Sequence, residues 1–73
     1  MKELDYVELI KDRAEYAKEG VYKGDCGVIS LGERNGYVLV LFSGKIEGDP
    51  AADIDVGIRI GDLKVIREYT NSF

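Results

Sequence analysis

The chain has 73 residues, enough for one domain with one core, and its 45% hydrophobic and 33% charged composition lies outside the range of disordered segments. Ten Lys and Arg against fourteen Asp and Glu give a net charge of −4, which opposes phosphate backbones and anionic membrane surfaces and disfavours a general nucleic-acid binder. Histidine is absent, removing the usual general base near neutral pH, the Ser–His and Cys–His couples and the commonest zinc ligand.

Two further exclusions concern location. The longest apolar run, Tyr37 to Phe42, is far shorter than the roughly 20 residues needed to cross a bilayer, and Glu3, Asp5 and Glu8 stand where the apolar stretch of a secretory signal would have to sit. A lone cysteine, Cys26, makes no internal disulfide, whereas small secreted domains usually carry several. A cytoplasmic protein is expected.

In chain order, Tyr6 to Ile10 alternates with Val7 and Leu9 on one face, as a half-buried strand requires. Asp12-Arg13-Ala14-Glu15 has the form of a capping box and predicts a helix of about seven residues, ended by Gly20 in a Schellman stop with Val21 packing back on Tyr16. Such a helix is too short to stand alone and must lie against the rest of the fold.

Cys26 to Leu31 reads as the second strand and Tyr37 to Phe42 as the third, joined through Gly32 to Gly36, whose Asn35-Gly36 end is a hairpin signal. The third strand is apolar on both faces, so one side is expected in the core and the other under the long first loop or a second chain. Ser43 to Asp53, rich in Gly, Asp and Ala and holding the only proline, Pro50, reads as an exposed loop. Ile54 to Ile60 gives the cleanest alternation, and a tight turn at Gly61-Asp62-Leu63 leads into a last strand over Lys64 to Glu68. The predicted fold is mainly β: a small five-stranded, closed SH3-like barrel with one short helix in the first long loop. It forms a single domain over 1–73, with its core at about 5–68 and a short tail at 69–73.

The early strand, the stretch Glu19-Gly20-Val21-Tyr22-Lys23-Gly24-Asp25-Cys26-Gly27-Val28-Ile29 and the closing Ile58-Arg59-Ile60-Gly61-Asp62-Leu63-Lys64-Val65-Ile66 resemble small bacterial and phage SH3-like domains of unknown function. Over Gly24 to Phe42 the chain is also similar to the KOW-type hairpin of ribosome- and transcription-associated proteins. That resemblance implies a nucleic-acid or ribosome-associated module, with Lys11, Arg13, Lys18 and Lys23 as its basic strip. The proline-peptide groove of signalling SH3 domains needs a tryptophan, which is absent.

The residues that bear chemistry are few. Cys26 lacks an activating partner and has the acidic Asp25 beside it, so it reads as a small core or turn residue. Glu47, Asp49, Asp53 and Asp55 crowd a short span without EF-hand spacing, which leaves a solvated acidic loop or an acidic patch that docks a basic partner. Tyr16 and Tyr22 flank the first loop, and Tyr69 is expected near the same loop. All three are candidate partner contacts because tyrosine combines apolar area with a polar tip, and the alternative is that they cover the barrel end. Gly24, Gly27, Gly36 and Gly61 serve turns or close backbone approach, with no phosphate-loop pattern.

No catalytic residue, cofactor or metal is expected. The expected role is protein–protein interaction, as an adaptor or a small acidic inhibitor of phage or mobile-element origin. The alternatives are the KOW-like module and a homo-oligomer built through Tyr37 to Phe42.

Overall fold

A computed structural model describes residues 1–49 and 52–70. Pro50, Ala51 and the end of the predicted tail, residues 71–73, lie outside the described residues. Five antiparallel strands form one sheet: β1 (Tyr6–Leu9), β2 (Cys26–Arg34), β3 (Tyr37–Ser43), β4 (Asp53–Arg59) and β5 (Leu63–Arg67), in the order β4-β3-β2-β1-β5. Among the described residues the one α-helix, α1 (Ala14–Ala17), lies in the long connection from β1 to β2, and a 3-10 turn (Ile60–Asp62) joins β4 to β5. Among the described residues no helix is long and apolar enough to cross a membrane.

The alternation read from the sequence decides the faces. Val7 and Leu9 of β1, Ile29 of β2, Val38, Val40 and Phe42 of β3, and Val56 and Ile58 of β4 all turn inward and are buried, with Tyr16, Val21 and Leu63 completing the core. Register explains the match: Val40 pairs with both Ile29 and Val56, and Val7 pairs with Gly27 and Val65. Tyr37, Leu39 and Leu41 occupy the other face of β3, the first exposed and the two leucines half-buried beside Gly57 and Asp55. The outer side of β3 is therefore only partly covered within one chain.

The sheet does not close into the expected barrel; β4 and β5 are its two edges. The 3-10 turn steers the chain away from β4. The Asp62 carbonyl accepts from the Ile10 N–H at 2.8 Å, which starts β5 alongside β1, so Leu63 pairs with Leu9 rather than returning on β4.

Local signals mostly hold. Asn35 (φ 54°) and Gly36 (φ 83°) both adopt the left-handed conformation, as the two-residue turn between Arg34 and Tyr37 demands. Gly20 (φ 78°) ends α1, with its N–H donating to the Ala17 carbonyl and that of Val21 to Tyr16, the paired bonds of a Schellman stop. The capping box does not form. Asp12 accepts instead from the Lys23 N–H at 2.6 Å, Arg13 takes the cap position without a side-chain bond, and α1 shortens to four residues. Closing the far end of the loop through Asp12 replaces the helical cap.

Gly27 is a close-approach glycine. A Cβ there would lie 2.5 Å from the Leu41 carbonyl oxygen and 2.8 Å from Val40 Cγ1, and backbone cannot yield as a flexible side chain can. Gly27→Ala should therefore destabilise the fold by about 1–3 kcal/mol, as overpacking does in tight cores, read as a lowered urea midpoint with an unchanged slope.

Candidate interaction surface

Tyr16 does not reach solvent. It is 1% exposed, its hydroxyl donates to Asp62 Oδ2 at 2.7 Å, and the Tyr16 hydroxyl oxygen accepts the Arg59 N–H at 3.1 Å. Asp62 also accepts from Arg13, Nε at 2.5 Å and Nη2 at 3.3 Å. Arg13 holds Asp62 below the ordinary carboxylate range against the opposing effect of burial, and the Tyr16 hydroxyl adds to the lowering. Burial, then the bond to Asp62, pushes the Tyr16 hydroxyl up to about 12. A tyrosine fixed on both sides in the core presents no face to a partner, because both its apolar ring and its polar tip are used internally.

Tyr22 and Tyr69 are both exposed, but they sit at opposite ends of β1. Gly24 and Asp25, just after Tyr22, bond to Leu9, whereas Arg67, just before Tyr69, pairs with Tyr6; the two ends of β1 are about 10 Å apart. Tyr69 therefore does not join the first loop as expected. It is tied instead to Asp5, whose Oδ1 accepts the Tyr69 N–H at 3.0 Å and the Lys2 ammonium at 2.6 Å, while Oδ2 accepts the Lys2 N–H at 3.1 Å. These bonds, the Lys2 ammonium first, outweigh burial and hold the Asp5 carboxyl down at about 2.

Beside this centre lies a groove of about 320 Å³ lined by Leu4, Tyr6, Val28, Arg67, Glu68, Tyr69 and Thr70. Leu4 stands at φ 73° and is 52% exposed, a left-handed conformation that costs a branched side chain about 1–2 kcal/mol. The Arg67 guanidinium lies 5.9 Å from the centre of the Tyr6 ring. Sequence reasoning missed this groove because nothing in the spacing announces that Lys2 to Asp5 turns back on Ile29 through the Leu4 N–H.

The acidic residues divide. Asp53 and Asp55 are exposed on the outer face of β4, each carboxylate accepting from a serine: Asp53 from Ser43 Oγ on the neighbouring β3 at 2.7 Å and Asp55 from Ser30 Oγ on β2, one strand further, at 3.1 Å. Glu47 and Asp49 are exposed in the loop after β3, where Ile46 and Asp49 form an isolated bridge. Among the described residues no group of three or more His, Cys, Asp or Glu is placed to hold a metal ion. Cys26 is half-buried on β2. Within the basic strip, Arg13 is turned inward onto Asp62, while Lys11, Lys18 and Lys23 are exposed.

Comparison with protein-family models, with curated proteins and with solved structures finds no match for this chain.

Two outcomes follow from the two carboxylate centres. The folded pKa of Asp5 is depressed from 3.8 to about 2, so its contribution is complete above the unfolded value and is lost as the pH falls from about 4 toward about 2; Asp62 is lowered in the same direction and its contribution is likewise lost on acidification. The melting temperature should drop across that window, and Asp5→Asn should melt lower at neutral pH with a shallower acid limb. Tyr16→Phe should cost about 1–3 kcal/mol, because it strands the Arg59 N–H and removes one donor from Asp62; a loss below about 0.5 kcal/mol in denaturant melts would show the hydroxyl to be dispensable.

Proposed function

We propose that this chain is a non-enzymatic protein-interaction module whose partner presents a basic surface. The observation that carries the reading is the β4 edge: Asp53 and Asp55 are exposed on one face of an edge strand, beside the half-buried Leu39 and Leu41, in a chain of net charge −4. Opposite charge steers and orients association, and a half-covered apolar strip beside it adds area to bury.

A finer fold reading accompanies this one. The strand order, the long first connection carrying a short helix and the 3-10 turn between β4 and β5 support an SH3-like architecture that stops short of closure. The inward turn of Arg13 weakens the basic strip on which a nucleic-acid role would rest, and the single cysteine supports a reducing compartment.

Affinity capture of the tagged protein from native lysate, with and without nuclease, tests the reading. A stoichiometric protein should be retained in both halves and should be released by moderate salt. The double variant Asp53→Asn, Asp55→Asn should lose most of that retention while melting within about 0.5 kcal/mol of the parent, as exposed substitutions do. Retention that vanishes with nuclease would transfer the protein to the nucleic-acid class.

A further inference from the structure

The free side of β4 is open main chain. Residues of β4 alternate in the direction their N–H and C=O groups point, and the bonds flanking the strand fix the parity: Ile60 N–H donates to Gly36 and Gly44 N–H to Ala52, within the register that pairs Tyr37 with Arg59 and Ser43 with Asp53. Even-numbered residues of β4 therefore bond to β3, and Asp53, Asp55, Gly57 and Arg59 point away from it. The Arg59 N–H confirms the assignment, because on that free side it meets the Tyr16 hydroxyl. Asp55 and Gly57 have no such cap among the described residues.

Natural edge strands are usually guarded by charged side chains, bulges or a covering loop. Here the guards are withdrawn. The Asp53 and Asp55 carboxylates are drawn back over the sheet by Ser43 and Ser30, Arg59 is held by Glu15 at 3.1 Å and by the Tyr37 hydroxyl, and Gly57 has no side chain and open space where a Cβ would stand. The pairing of β4 with β3 shows no bulge. The acids alone would define no site; the unpaired main chain beneath them does.

We propose that β4 accepts an extended segment of the partner as an added antiparallel strand, and that the segment carries an aromatic residue followed by basic residues at alternate positions. This rests on the reading of the chain as a module for a basic partner and names how that partner is held. In antiparallel register, residues opposite Gly57, Asp55 and Asp53 follow one another at every second position, each exchanging main-chain bonds with β4. A lysine or arginine opposite each aspartate forms a cross-strand ion pair. An aromatic ring opposite Gly57 fills the vacant place and lies against Leu39, the β3 partner of Gly57. The intervening residues face the side of Ile54 and Val56 and are apolar. The Tyr16 hydroxyl closes the strip at Arg59, so the added strand starts at Gly57 and runs toward Asp53.

The test uses the full chain, labelled for amide spectra, with two capped peptides of one composition: Tyr-Val-Lys-Val-Lys and the permuted Val-Tyr-Lys-Lys-Val. The alternating peptide should shift and protect the Asp55 and Gly57 amides, and the permuted peptide should bind about tenfold more weakly. Gly57→Pro removes an outward N–H without touching the ladder to β3 and should abolish the protection, while Asp53→Asn with Asp55→Asn should weaken binding about five- to tenfold. Equal binding of the two peptides, or indifference to Gly57→Pro, overturns strand addition. Shifts centred on Tyr6, Arg67 and Tyr69 overturn it too while leaving the interaction module standing, with the groove as its surface. A chain that sediments as a dimer, separated into monomers by Gly57→Pro, would make a second copy the occupant and also overturns the proposal. The broader reading fails separately, if lysate capture retains no protein.

Discussion

The carboxylate of Asp62 is the point on which the first loop, the bend between β4 and β5 and one sheet edge all depend. Its oxygens accept from Arg13 and Tyr16, the main-chain carbonyl of the same residue accepts from the Ile10 N–H, and Tyr16 passes the constraint on to the Arg59 N–H. A loop that contains only a four-residue helix has no stability of its own. It is ordered because one buried anion has donors from two of its side chains, and because a network with every member satisfied rigidifies its surroundings where a half-satisfied one would weaken them. Asp5 repeats the device at the other end of β1, binding the N-terminal turn to the residue after β5. Buried carboxylates thus join segments that strand pairing alone leaves apart.

This arrangement assigns the polar tips to the interior and leaves the outer face of the sheet to carry recognition. The core is mostly aliphatic, with Tyr16 and Phe42 added, and depends on close contact between neighbouring strands, as the approach of Gly27 on β2 to Leu41 and Val40 on β3 shows. The outer face combines two different surfaces: the Tyr6, Val28 and Arg67 groove beside β5 and the acidic strip on β4. They lie at opposite edges of one sheet. The groove lining holds Arg67 together with Glu68, whereas the β4 strip presents acids alone.

What the sequence made legible follows from the period of the signal. Alternation in Tyr6 to Ile10 and Ile54 to Ile60, the Asn35-Gly36 turn and the Gly20 stop are local, and each has its counterpart in the structure with boundaries shifted by a residue or so. The misplacements involve long-range bonds. Asp12 looked like a helix cap because Glu15 follows it at the right spacing, but its true partner is Lys23, eleven residues away. Tyr16 stood as a candidate partner contact because tyrosine combines apolar area with a polar tip; its role is fixed by Asp62, which lies forty-six positions along the chain. The edge chemistry of β4 was half-legible: Asp53 and Asp55 stood out as acids, while the pull of Ser30 and Ser43 that uncovers the backbone depends on strand register.

The position of β1 between β2 and β5 has a consequence for how the chain is made. Synthesis proceeds from Tyr6 toward Arg67, yet β1 receives its second neighbour only when β5 appears, because Tyr6 pairs with Arg67 and Leu9 with Leu63. The β2–β3 hairpin, with its tight Asn35-Gly36 turn, and then β4 can form early from local contacts, whereas closing β1 onto β5 must overcome nearly the whole loop entropy of the chain. During translation the apolar face of β1, Val7 and Leu9, therefore stays half-sheltered until almost the last of the described strands leaves the ribosome. A nascent chain stalled before Leu63 would display that strand to any passing sheet edge.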